Sequence, residues 1–243
     1  MTTRAEFFAR IRKEVGTTSG LFSAVPAARP APPRRLLETL RRELSERWPE
    51  TLDRFRHEFE CVGGVFYRVK SAAEVPDVVA RIARERDARR VVTWHPSALG
   101  TDFCAELERQ GLEAEAMPSG GAPVSDDARA AVRARVAAAD LGLTGVDLAI
   151  AETGTLVLVS GAGRPRSTAL LPSYHVAVFD REALVESLQQ VGLVLEAWHD
   201  GTPPASRGAA IHFITGPSRT ADIELTLTRG VHGPREVHAV FVG

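Results

Sequence analysis

From Val65 to Asp140, short apolar runs alternate with amphipathic helical patterns, and this alternation restricts the fold more than any other feature. "VFYRV" at 65–69 reads as a strand, "SAAEVPDVVARIARERD" as a helix, and "RVVTWH" at 90–95 as a strand. Residues 101–110 read as a helix, "EAEAM" as a weak strand, and "SDDARAAVRARVAAAD" as a helix. Ser71 with Glu74 three residues on has the form of a capping box, and Ser125 is placed to cap the third helix. Strands connected through helices pair in parallel, so the pattern calls for a mostly parallel sheet with helices on both faces.

The rhythm changes after Asp140. "DLAIAETGTLVLVSG" holds two apolar runs separated by "ETGT", a spacing that suggests a tight antiparallel connection. "HVAVFD" at 175–180 reads as a strand and "REALVESLQQV" as a helix, with "EAWHDGTPPASRG" as a loop. "AIHFIT" at 210–215 and "EVHAVFV" at 236–242 read as strands. At the other end, residues 3–15 form a helical pattern with Phe7, Phe8, Ile11 and Val15 on one face. A Gly/Ser/Ala/Pro-rich linker follows, then a helix over about 34–47 that Pro49 ends, and a further helical stretch over 50–60. The expected organisation is a helical N-terminal arm with a Pro/Gly-rich linker at 1–49 and one α/β domain at 50–243.

Composition narrows the function. The chain has 243 residues and a net charge of −1, which gives no electrostatic case for a nucleic-acid partner. No apolar run reaches the roughly 18 residues of a membrane span, and the first residues lack the features of a secretion signal, so a cytoplasmic location is expected. Cys61 and Cys104 are far apart and read as small buried hydrophobes. An iron–sulfur cluster needs about four thiolates, and no HxH or HExxH spacing occurs, so no metal or cofactor is expected in this chain.

Two stretches carry candidate chemistry. In "TGPSRTADIELTLTRGVHGPRE", a strand leads into Gly216-Pro217-Ser218 and a helical pattern over about 219–229, with Ser218 as N-cap and Gly230 as terminator. Free first-turn amides and the Arg219 guanidinium would suit an anion. The same residues also suit an ordinary capped helix with an Arg219–Asp222 pair. His232, between two glycines, is placed to donate to a ligand or to fill a turn. In the second stretch, Glu152 enters an apolar run at "ETGT", where a carboxylate needs a partner or a task. Arg164 and Arg166 follow in a Gly-rich loop, a second candidate for carboxylate or phosphate recognition. His95 stands at a strand end, where open α/β sheets bind ligands. The expected ligand-binding set is Thr153, Gly154, Thr155, Arg164, Gly216, Ser218, Arg219, Thr220 and His232, with Glu152 as the candidate catalytic residue.

"GVDLAIAETGTLVLVSGAGRPRSTALLPSYHVAV" together with "TGPSRTADIELTLTRGVHGPRE" closely resembles the LutC/YkgG branch of the LUD family of lactate utilization proteins. The likeness is dense from about Leu143 to Val242 and thinner in "FECVGGVFYRV" and the units after it. The resemblance implies a three-layer α/β/α sandwich similar to glucosamine-6-phosphate isomerase, ribose-5-phosphate isomerase and the CoA transferases. It also implies a part in oxidising L-lactate to pyruvate as the cluster-free component, with iron–sulfur clusters on two partner subunits. "AETG" is faintly similar to the glutamate-nucleophile motif of CoA transferases. The alternative functions are therefore an independent acyl-transferring or anion-binding enzyme using Glu152, or a non-catalytic regulator of lactate metabolism.

Overall fold

The computed structural model describes residues 3–17, 32–119, 125–199, 207–221 and 227–243. They divide into a short N-terminal unit, Met1–Pro32, and a main body, Pro33–Gly243. The N-terminal unit carries α1 (Arg4–Thr17). Its start is a capping box: the Thr3 amide donates to the Glu6 carboxylate at 2.7 Å, and the Glu6 amide donates to the Thr3 hydroxyl at 3.3 Å. Phe7, Phe8 and Ile11 are exposed on it. Most of the linker expected between Gly16 and Pro33 lies outside the described residues.

The main body begins at Pro33. α2 (Pro33–Cys61) runs through both segments read from the sequence and bends at Arg47, whose φ of −116° and ψ of 15° are not helical. Pro49 lies just past the bend, where its missing N–H and ring displace one turn without ending the helix. The chain continues through β1 (Val65–Val69), α3 (Val75–Glu85), β2 (Arg90–Thr93), α4 (Pro96–Leu99), α5 (Cys104–Arg109) and β3 (Glu113–Ala116). Next come α6 (Asp126–Ala138), β4 (Leu141–Gly145), β5 (Leu148–Ile150), β6 (Thr155–Gly161), α7 (Ser167–Leu170) and β7 (Tyr174–Phe179). The chain closes with β8 (Leu184–Val185), α8 (Leu188–His199), β9 (Arg207–Ile214), β10 (Arg219–Ala221), β11 (Leu227–Arg229) and β12 (Glu236–Val242). Ser125 caps α6 as expected, accepting from the Ala128 amide at 3.2 Å. Ser71 caps no amide. It precedes a 3₁₀ turn, and its hydroxyl reaches the Glu74 carboxylate at 3.4 Å.

The central sheet has six parallel strands in the order β1-β12-β7-β4-β2-β3. Parallel strands must be covered on both faces, and their sequences show it. On one face Val69, Val91, Leu141, Leu143, Val176 and Val240 pack with α3 and α5. On the other, Ala177, Phe179, Val237, Ala239 and Phe241 meet Leu52, Phe55 and Phe59 of α2. The fold is therefore an α/β sandwich with a mostly parallel sheet between helical layers.

One layer contains a second sheet, β8-β5-β6-β9, with β5 and β6 antiparallel through the "ETGT" turn. Its residues alternate. Ala149, Ala151, Leu156 and Leu158 face α2 and the parallel sheet, whereas Leu148, Ile150 and Val157 face Val191 and Val194 of α8 and Leu40 and Leu44 of α2. Two helix assignments change. The helix expected over 181–191 is a 3₁₀ turn (Arg181–Ala183) and β8 (Leu184–Val185), with α8 beginning only at Leu188. The helix expected over 219–229 is absent at both described ends, where Arg219–Ala221 and Leu227–Arg229 pair as an antiparallel hairpin. Asp222 lies outside the described residues.

Phe55 is fully buried among Phe59, Phe66 and Phe179. Phe55→Ala should cost about 3–5 kcal/mol in chemical denaturation, whereas Phe7→Ala should stay within about 0.5 kcal/mol. His175 is fully buried, with Nε2 on the Thr144 hydroxyl at 2.8 Å. Burial, reinforced by His238, holds its pKa down to about 3, against 6.5 in an open chain. The unfolded chain therefore takes up a proton below pH 6.5 that the folded chain refuses. Stability should fall as pH drops from 6.5 toward 3, by several kcal/mol from this residue. Denaturation midpoints that stay level across that interval would contradict the burial of a neutral His175.

Candidate functional site

The two sequence motifs meet, but as packed structure. Thr153, Thr155 and Thr215 form a ladder of hydroxyls, with both Oγ1 separations 2.7 Å. The ladder ties the "ETGT" turn to the end of β9. Gly154, at φ +59°, lies against the backbone of Glu58 and Phe59, where a Cβ would collide. Gly216, at φ +77°, lies against the Val62 carbonyl, 2.6 Å from where its Cβ would be. The Arg219 guanidinium donates to that same carbonyl, just past the end of α2. Ser218 caps no helix; its hydroxyl accepts from the His232 amide at 3.3 Å, and its backbone bonds Pro234 and Gly230. Thr220 pairs with Thr228 across the hairpin. These residues lock the C-terminal end of α2 to the mixed sheet.

Glu152 is exposed and turned to a different task. Its carboxylate accepts from the Leu188 amide at 2.9 Å, at the start of α8, and its own amide donates to Glu186. A carboxylate there complements the free amides and positive end of the helix. The topological expectation also needs correction. β5 and β9 do deliver Glu152 and Gly216 to strand ends, but those strands belong to the mixed sheet.

The carboxyl edge of the parallel sheet holds a different site. A cavity of about 250 Å³ opens there, lined by Gly145 and Val146 at the end of β4, Val178, Phe179 and Asp180 at the end of β7, and Val242 of β12. Ala72, Ala98, Leu99 and Phe103, from the connections after β1 and β2, complete it with Arg164. Crevices beyond the carboxyl ends of strands are where open α/β sheets hold ligands. Arg164 is the one sequence candidate among the lining residues.

Its placement is built from several contacts. The 161–166 loop is stitched to the end of β2: the His95 amide donates to Gly163, and the Trp94 indole donates to the Pro165 carbonyl at 3.2 Å. The Arg164 guanidinium stacks 4.6 Å over the buried Trp94 ring. Its Nη2 donates to Asp147 Oδ2 at 2.5 Å, and this carboxylate oxygen also accepts from the Val159 amide at 2.7 Å. The pair is mostly enclosed, with 19% and 12% of the side chains exposed. Arg164 Nε is buried without an acceptor. A guanidinium so fixed, with part of its side chain still exposed at the cavity, is suited to a carboxylate.

Trp94, Asp147, Gly145 and Asp180 escaped the sequence reading. "LGLTG", with two glycines, carries no strand signal of its own, yet it is β4, in the middle of the sheet. Once β4 is placed, Asp147 and Arg164 flank its carboxyl end. His95 caps α4 through Ser97 and does not line the cavity. Cys61 is exposed, not buried, with its sulfur 3.7 Å from His57. Cys104 is half-buried, and burial pushes its thiol pKa up. Among the described residues, no group of three or more His, Cys, Asp or Glu is placed to hold a metal. No described helix is long and apolar enough to cross a membrane.

Comparison with known proteins gives a consistent neighbourhood. The family model described as the LUD domain matches residues 52–242. The chain is 36% identical over 159 residues to lactate utilization protein C of Halalkalibacterium halodurans, a match covering 64% of each chain and so less than two thirds of that relative's length. It is 30% identical over 169 residues to the protein of that name from Macrococcus caseolyticus, covering 69% of this chain and 68% of that one. The Deinococcus radiodurans protein of that name is 29% identical over 224 residues, covering 86% and 94%. A crystal structure of a DUF162 family protein from Deinococcus radiodurans superposes with a TM-score of 0.51 at 25% identity, covering 80% of this chain and 98% of that one.

The two acids should respond differently to removal. Asp147→Ala strands an enclosed guanidinium and should cost about 3–5 kcal/mol in chemical denaturation. Glu152→Ala removes an exposed helix cap and should cost about 1 kcal/mol. Equal costs would contradict the roles given to them.

Proposed function

The chain belongs to the LUD domain family, and from that premise we propose that it serves lactate utilization by holding a small carboxylate at the carboxyl edge of its parallel sheet. The observation that carries this reading is Arg164. It is a mostly enclosed guanidinium, fixed by Asp147 and Trp94, beside a cavity of about 250 Å³ at that edge. The carboxylate of a hydroxy or oxo acid would pair with the guanidinium, and its carbon chain would lie against Leu99, Val146 and Val178.

We place the redox chemistry on partners. Two separated cysteines supply too few thiolates for an iron–sulfur cluster, so clusters belong to other subunits of a lactate-oxidising system. This chain would then bind the acid and present it, or sense it, without itself moving electrons. Glu152, turned to the start of α8, favours acid binding over acyl transfer through a glutamate nucleophile.

Titration calorimetry with L-lactate and pyruvate tests this on the full chain. Wild-type protein should bind at least one of them saturably. Arg164→Lys keeps the ion pair with Asp147 but loses the planar fork, and should weaken binding about tenfold or more with the fold intact. In a system reconstituted with iron–sulfur subunits, lactate oxidation should fall in parallel. Unchanged affinity in Arg164→Lys and in Arg164→Gln would remove Arg164 from the site.

A further inference from the structure

We infer that Asp180 makes the carboxyl-edge cavity discriminate at carbon 2 of the acid, holding a 2-hydroxy acid and rejecting the matching 2-oxo acid; this rests on the reading that Arg164 takes the carboxylate. Among the lining residues, Arg164 and Asp180 alone have charged or hydrogen-bonding side chains. The guanidinium can only donate, and the carboxylate can only accept. A ligand that satisfies both carries an acceptor at one end and a donor beside it. Lactate does, with a carboxylate and a hydroxyl on adjacent carbons. Pyruvate offers a carboxylate and an oxo group, and both are acceptors.

The backbone puts the Asp180 side chain on the cavity's face of the sheet. Val178 and Val242 pack on the α3 and α5 side, with Ala72, Leu99 and Phe103, which line the same cavity. Side chains alternate along a strand. Asp180, with φ of −118° and ψ of −174°, continues the extended course of β7 and so shares the face of Val178. Its Oδ1 accepts from the Glu182 amide at 2.9 Å, which caps the 3₁₀ turn and fixes the carboxylate. Among the described residues, Oδ2 has no hydrogen-bond partner. That oxygen is left to meet a ligand.

Arg164 is the opposite pole. Asp147 holds its Nη2 at 2.5 Å and the Trp94 ring lies under it, so the guanidinium cannot turn to follow a second acceptor. An oxo oxygen at Asp180 sets two acceptors face to face and strips water from a carboxylate with nothing in return. A hydroxyl replaces that water with a charge-assisted hydrogen bond. Asp180 also repels the ligand's own carboxylate, but equally for both acids, so this cancels in their ratio. Asp180 is exposed, so solvent competes for it. The expected discrimination is about tenfold, well below that of a sealed site.

The full chain should be titrated calorimetrically with L-lactate and with pyruvate, as wild type, Asp180→Asn and Asp180→Ser. Wild type should bind lactate about tenfold more tightly than pyruvate. Asp180→Asn keeps an oxygen for the Glu182 amide and leaves its NH₂ toward the cavity, where it can donate to an oxo group, so the preference should fall to within about twofold or invert. The Asp180→Ser hydroxyl can also cap the turn, and it both donates and accepts, so the two acids should come level. Pyruvate binding wild type as tightly as lactate would overturn the inference and leave the carboxylate site standing. A lactate preference that survives in both variants would overturn it as well. If neither acid binds wild type at millimolar concentration, the carboxylate reading falls and the inference falls with it.

Discussion

The C-terminal half of α2, wedged between two sheets, is the contact on which the rest of the structure depends. Phe55 and Phe59 are fully buried there, against Phe179 and Phe241 of the parallel sheet and near Leu156, Leu158 and Ile214 of the mixed sheet. The bend at Arg47 lets the first half of the same helix leave this wedge and cover the opposite face of the mixed sheet with Leu40 and Leu44. One helix therefore bonds three surfaces. The glycines at 154 and 216 permit the close approach at its end, and the Arg219 guanidinium satisfies the Val62 carbonyl just past that end. Arg219, Gly154 and Gly216, from the motifs that looked most like an anion site, all contact the end of α2.

Those contacts separate support from site. With α2 and the mixed sheet closing one face, and α3 and α5 the other, the parallel sheet is left open at its carboxyl edge. The cavity forms there because the strands end on small or apolar residues while the "GAGRPR" loop folds back over Trp94. The Arg164–Asp147 pair sits at that fold. An enclosed ion pair adds little net stability by itself. Its value here is directional, since it fixes a guanidinium that would otherwise sample many rotamers.

Much of the fold was legible in the sequence. The alternation from Val65 to Asp140 gave β1, β2 and β3 nearly to the residue, the apolar runs "HVAVFD" and "EVHAVFV" gave β7 and β12, and "ETGT" gave the β5–β6 hairpin. Two errors have identifiable causes. In "TADIELTLT", polar and apolar residues alternate strictly from Thr220 to Thr228, but Ala221/Leu225 and Ile223/Leu227 also fit helical spacing. Ser218 and Arg219 looked like a helix start and tipped the balance. The β-branched Thr220 and Thr228 favour strands and are paired in one. β4 was missed because "LGLTG" has two glycines, and only the buried, parallel context makes it a strand. Without β4, Asp147 and Gly145 had no place, so a site assembled from the ends of β4, β7 and β12 was beyond a motif-by-motif reading.

Which surface holds the ligand is the central question, and a crystal structure of the chain grown with a saturating 2-hydroxy acid answers it most directly. The account predicts density for the acid at the carboxyl edge, its carboxylate within hydrogen-bond distance of Arg164 and its side chain toward Gly145, Leu99 and Val178. Density instead at the Thr153–Thr155–Thr215 ladder, with Arg219 released from Val62 to meet it, would contradict the division between support and site.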